Sequence, residues 1–168
     1  MTDTDPEHVA EWVAARGPAL QRFAYLVTGS ADDAPDLVQE ALSRALPRWR
    51  SLVARGTAEA YLRRSIVNAS ISAWRKGGRQ LPSDDPQPPP VDDGSQHRAD
   101  ADHAWALCAE LPPQQRAAVV LRFYEDLPYA EIGQVLGCPE STARSHVHRA
   151  LASLRTRLTA EHEEGQES

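Results

Sequence analysis

Cysteine, sulfur and long apolar runs are scarce in this chain. Its 168 residues hold two cysteines, one methionine and two phenylalanines. Cys108 and Cys138 form no CxxC pair, so they read as small buried residues of a reducing compartment, with a bridge between them left open. No uninterrupted apolar run is long enough to span a bilayer, so no membrane insertion is expected. The N-terminus, MTDTDPEHVAEW, is acidic and lacks the basic region and apolar core of a secretory signal; a cytoplasmic protein is expected. There is no GxxxxGK phosphate loop, no GxSxG and no HExxH. His146 and His148 stand two apart, on different sides of a helix, and no nearby cysteines or acids complete a zinc set. Metals, cofactors and an enzymatic site are therefore not expected. Strand alternation and internal repeats are absent too, which leaves an all-α chain.

What is present is charge, unevenly spread. The net charge of −6 would argue against nucleic acid if it were uniform. From Tyr61 to Gln80, however, Arg63, Arg64, Arg75, Lys76 and Arg79 stand with no acid among them. From Glu140 to Leu158, Arg144, Arg149, Arg155 and Arg157 face one acid, Glu140. The acids gather at Asp84, Asp85, Asp92, Asp93, Asp100 and Asp102, and again at Glu161, Glu163, Glu164 and Glu167. Salt screens charges beyond about 10 Å, so a local basic patch outweighs the sum.

Helical periodicity fills most of the chain. Asp5-Pro6-Glu7 starts a helix with core positions Val9, Trp12, Val13, Leu20, Phe23 and Val27; Gly17-Pro18 is expected to kink or split it. Ser30 caps a second helix whose stripe is Ala34, Leu37, Val38, Ala41, Leu42, Ala45, Leu46 and Trp49. Asp36, Gln39 and Glu40 lie outside that stripe, and Pro47 should bend or end the helix. Residues Ser51 to Gly56 read as a turn. A third helix, Ala58 to Lys76, carries a core stripe of Leu62, Ile66, Ala69 and Ala73 and a second apolar edge of Val67, Ile71 and Trp74. An aromatic, apolar edge beside Arg64, Asn68 and Arg75 suits unpaired bases, although for Trp74 alone a core position is the simpler reading. Leu81 to Asp100, rich in proline and acid, reads as an unpacked linker. Short helices follow over Ala104 to Leu111 and Gln114 to Tyr124, and the tail EHEEGQES is expected to fray.

The most informative stretch runs from Pro128 to Leu158. Tyr129 to Leu136 forms a short helix, Gly137 ends it in a left-handed conformation, and Pro139 suits the first turn of the next. Ala143, Val147, Leu151, Leu154 and Leu158 make the buried stripe of that helix. Ser141, Arg144, Ser145, His148 and Arg149 form a polar, basic face able to reach phosphates and base edges. This is helix-turn-helix spacing, which lays the second helix in the DNA major groove.

Together these parts resemble a bacterial RNA polymerase sigma factor of the extracytoplasmic-function group, which keeps only the second and fourth sigma regions. The resemblance spans about Trp12 to Leu158. Asp33 to Ala41 (DAPDLVQEA) resembles the family's polymerase-docking signature, and Tyr61 to Ala69 (YLRRSIVNA) the helix leading to −10 recognition. Leu111-Pro112, Arg116, Leu121-Arg122, Tyr129 to Gly133, Ser141 to Ser145 and His148-Arg149-Ala150 are similar to the fourth region.

The resemblance implies a region 2-like helical domain over 1–80, an acidic linker over 81–101, a region 4-like helix-turn-helix domain over 102–160 and an acidic tail over 161–168. It implies that Asp36, Gln39 and Glu40 dock on the clamp helices of core RNA polymerase. It implies that Asn68, Trp74, Arg75 and Lys76 hold the unpaired −10 strand, while Thr142, Arg144, Ser145, His148 and Arg149 contact the −35 duplex. The linker would thread the polymerase cleft. Core polymerase, promoter DNA and an anti-sigma factor are the implied partners. The chain departs from the family pattern at Pro35, Ser141, Ala143 and His146, where an acid, a glycine, a valine and a basic residue are commoner. A stand-alone helix-turn-helix regulator is the alternative reading; it would have no use for the Asp33–Ala41 stretch.

Overall fold

The computed structural model describes residues 5–77 and 103–166, which fall into two compact units, one on either side of the intervening segment. The acidic, proline-rich linker and Arg79 lie outside the described residues. Among the described residues every regular element is helical.

In the first unit α1 spans Pro6–Thr28. The Asp5 carboxylate accepts from the Glu7 N–H at 3.1 Å, and Gly29, at φ 69°, closes the helix by donating to the Tyr25 carbonyl. Of the kink or split expected at Gly17-Pro18, the split does not occur: α1 continues through both residues. Pro18 is exposed, so the carbonyl one turn before it, which loses its intrahelical donor, can be hydrated. The second helix, α2 (Asp33–Ala45), begins where the Ser30 hydroxyl accepts from the Asp33 N–H at 3.2 Å. It buries Ala34, Leu37, Val38, Ala41 and Ala45, and passes through a 3-10 turn at Leu46–Arg48, where Pro47 sits.

The turn expected over Ser51 to Gly56 is largely a short helix, α3 (Trp49–Ala54). Trp49 anchors it. Its ring meets Trp12 edge-on at 5.0 Å, and its Nε1–H donates to His8 Nδ1 at 3.5 Å. Next comes α4 (Ala58–Gly77). Leu20, Phe23 and Val27 of α1 share one core with Val38 of α2 and Leu62, Ile66 and Val67 of α4, all almost fully buried. Burying each such side chain contributes about 1.5–3 kcal/mol.

The second unit begins with α5 (103–108), followed by α6 (Pro113–Val119) and a π-helical segment, Val120–Tyr124. The single helix expected over Gln114 to Tyr124 therefore widens in its last turn, where the Glu125 N–H donates five residues back to Val120. Arg116 of α6 ties α5 down. Its guanidinium donates to the carbonyls of Cys108 (3.1 Å), Ala109 and Leu111 (3.0 Å), satisfying groups that the end of α5 leaves open.

Two further helices complete the unit, α7 (Tyr129–Leu136) and α8 (Glu140–Gln166). Of the tail expected to fray, residues 161–166 instead continue α8 and 167–168 lie outside the described residues; polar contacts to α5 and the turn after it line the outer part of α8. His103 Nε2 lies 2.8 Å from Glu161, and Arg157 pairs with Glu110. The buried stripe of α8 also shifts. Ala143, Val147 and Ala150 are buried and Leu154 packs on the core, whereas Leu151 and Leu158 are exposed. At about 100° per residue, spacings of 4, 3 and 4 keep the buried set within an arc of about 60°, against about 80° for the expected set. Both cysteines are free, which settles the open question of a bridge.

Candidate functional site

The turn between α7 and α8 is tighter than sequence spacing can show. Gly137 adopts φ 70° and donates to the Gly133 carbonyl, which also accepts from the Cys138 N–H at 2.9 Å. A methyl group on Gly133 would stand 2.6 Å from the Cys138 carbonyl oxygen. The Pro139 carbonyl then accepts from the Thr142 and Ala143 N–H groups, both at 3.0 Å, so α8 starts one residue after the proline. The role of Gly133 is not apparent from sequence spacing; the available signal is a glycine inside a short helix, four residues before the glycine that ends it.

On the outer side of α8, Ser141, Arg144, Ser145, His148 and Arg149 line one open hollow. All five are exposed, whereas Thr142 is half-buried and is not among the lining residues. The Ser145 hydroxyl donates to the Ser141 carbonyl at 3.0 Å, and Arg144 lies 3.5 Å from Glu140. Two guanidinium groups, two hydroxyls and an imidazole thus converge on one helical face. They can pair with phosphate oxygens and base edges. His146, two residues from His148, is turned away from this set. Its Nδ1 is buried without a hydrogen-bond partner, and burial, reinforced by Arg149, pushes its pKa below the ordinary value. It therefore stands neutral at pH 7 where a cation would be commoner.

On α4, Asn68, Arg75 and Lys76 are exposed, and so is Trp74, at 45%. The simpler reading of Trp74 as a core residue is overturned, because Ile71 and Val67 fill the buried side of that edge. A large ring held in water beside cations is a surface on which a base can stack. On α2, Asp36, Gln39 and Glu40 are exposed along one face, with the Glu40 carboxylate 2.6 Å from Arg44. Among the described residues no group of three or more His, Cys, Asp or Glu side chains could hold a metal ion, and no helix is long and apolar enough to cross a membrane.

Comparison with known proteins gives these surfaces a family. The Sigma-70 region 2 model matches residues 12–80, and the Sigma-70 region 4 model matches residues 104–154. The RNA polymerase sigma-E factor of Streptomyces coelicolor is 36% identical over 151 residues, covering 89% of this chain and 85% of that protein. The ECF RNA polymerase sigma factor SigE of Mycolicibacterium smegmatis is 35% identical over 159 residues, covering 88% of this chain and 60% of that one. Among solved structures, the sigma factor RpoE of Bartonella quintana, crystallised with the anti-sigma factor NepR, superposes with a TM-score of 0.72 at 25% identity, covering 91% of this chain and 98% of that chain. The chain belongs to the RNA polymerase sigma factors of the extracytoplasmic-function group, and is an alternative sigma factor that directs transcription initiation.

Proposed function

We propose that the two units divide promoter recognition between them while both ride on core RNA polymerase. The face of α2 carrying Asp36, Gln39 and Glu40 docks on basic residues of the clamp helices. Doing so means exchanging the exposed Glu40–Arg44 pair, worth about 0–1 kcal/mol, for a partner's cations. Asn68, Trp74, Arg75 and Lys76 hold the non-template −10 strand once it is unpaired. Flipping a base costs a few kcal/mol, which stacking on an aromatic ring, at about 1–3 kcal/mol per base, can offset. Thr142, Arg144, Ser145, His148 and Arg149 read the −35 duplex. The protein works in the cytoplasm, catalyses no reaction of its own, and is held in check by an anti-sigma factor, as its Bartonella relative is bound by one.

One observation carries this reading: the hollow on α8 formed by Ser141, Arg144, Ser145, His148 and Arg149, at the entry to the second helix of a helix-turn-helix. Run-off transcription with core polymerase tests it. Arg144→Ala with Arg149→Ala should remove promoter-specific transcripts while leaving polymerase binding intact. Charge reversal at Asp36 and Glu40 should abolish polymerase binding. Transcript levels unchanged in the first variant, or polymerase binding unchanged in the second, overturn the corresponding assignment.

A further inference from the structure

Tyr129 is the first residue of α7, at the opposite end of that helix from the turn into α8, and is not among the residues that line the hollow. Its ring is half-buried and carries two cations. The Arg122 guanidinium lies 4.5 Å from the ring centroid, and the Arg144 guanidinium 5.0 Å from it. Neither arrives by accident of exposure. Arg122 sits in the π-helical segment, and its Nη1 donates to the Leu127 carbonyl at 3.1 Å, which pins one guanidinium over the ring. Pro128 fixes the entry to α7 in an extended conformation, and its carbonyl accepts from the Ile132 N–H at 3.1 Å. The backbone entering Tyr129 is therefore set by Pro128, and one of the two cations over the ring is tied to the backbone. Arg144 reaches the ring from α8, and its Nη2 also lies 3.5 Å from the Glu140 carboxylate.

An exposed arginine has many rotamers, and fixing them on binding costs free energy. An aromatic face that already holds the guanidinium removes part of that cost. It does so without neutralising the charge, since cation–π attraction leaves the N–H donors available at the edge of the plane. Arg122, held close by, adds positive potential at the same place, and a phosphate or guanine edge is the group that gains from it.

We infer that Tyr129 is a positioning residue for DNA recognition: with Arg122 it sets the orientation of Arg144 before the duplex arrives. This rests on the reading that Arg144 meets the −35 duplex, and the test separates the two.

The test uses the full chain with core polymerase and a promoter duplex selected by that holoenzyme from a randomised pool. Tyr129→Leu keeps an apolar side chain at the site and removes the ring. It should weaken duplex binding about 3–5-fold, the effect of an exposed cation–π contact. Tyr129→Phe should bind as the parent does. With Arg144→Ala already present, Tyr129→Leu should have no further effect, because there is no guanidinium left to orient. Thermal unfolding of each variant reports any general loss of structure, which would weaken binding equally in both backgrounds. A loss that is the same with and without Arg144, or the same in Tyr129→Phe, overturns the inference and leaves the role of Arg144 standing. No loss in Arg144→Ala alone overturns both.

Discussion

Gly133 and Arg116 are the two residues on which the second unit depends out of proportion to their size. Gly133→Ala should gain up to about 1 kcal/mol of helix propensity and lose more, because the contact at 2.6 Å is with backbone that cannot step aside. A net destabilisation of roughly 1–3 kcal/mol in urea unfolding is expected. Arg116 lies beside Cys108, and the thiol there is pushed up from 9.0 to about 11, chiefly by burial, with Arg116 opposing. A folded-state pKa above the unfolded value favours the native form while the thiol stays protonated. That contribution is whole below about pH 9 and is lost as pH rises through 11. Unfolding followed between pH 8 and 11 should show stability declining over that window, and Cys108→Ser should flatten the decline. A thiol reagent at pH 7 should modify the half-exposed Cys138 and spare the buried Cys108. Single residues were also where sequence reading met its limit. Composition and spacing place Trp74 on an apolar edge but cannot say that Val67 and Ile71 fill that edge first.

Helices were legible where one stripe dominated, as in α2, and at α7, whose ends follow from Pro128 and Gly137. They were misread where a local signal competed with packing. Pro18 carries a strong breaking signal, yet α1 continues through it into the turns that bury Leu20, Phe23 and Val27. Pro18→Ala should restore one intrahelical donor and raise the unfolding free energy by a net of about 1–2 kcal/mol after the freer unfolded chain is counted, which a thermal melt would read as a higher midpoint. Ser51 to Gly56 read as a turn although Ser51 to Ala54 belong to α3, because the anchor of that short helix is one residue, the Trp49 ring against Trp12. The outer turns of α8 were not legible as helix for the opposite reason: the tail is charged and polar, and the contacts of Glu161 to His103 and Arg157 to Glu110 come from residues far away in the chain. Exposed pairs of this kind are worth about 0–1 kcal/mol each. Amides of residues 160–166 should thus exchange much faster than those of 143–150, and changing Glu110 and Glu161 to glutamine should speed the outer exchange without shifting the unfolding midpoint.

At the scale of the whole chain, an acidic protein carries two basic surfaces, and the excess acids lie elsewhere along the sequence. Promoter binding by the holoenzyme should therefore weaken steeply with salt, and Arg149→Ala should lower the slope of log K against log salt by about 1 if its contact is to phosphate. The two-part division was legible from composition alone, whereas the side chains that converge on α8 needed coordinates, since neither Tyr129 nor Arg122 belongs to that helix. With a rise of 1.5 Å per residue, α8 is a rod about 40 Å long. Its inner end carries Ser141, Arg144, Ser145 and Arg149, and its outer end stands clear of the core. A fluorophore fixed near Gln166 would swing as the inner turns seat in a groove, so the geometry that chooses a promoter also supplies a pointer by which seating can be watched.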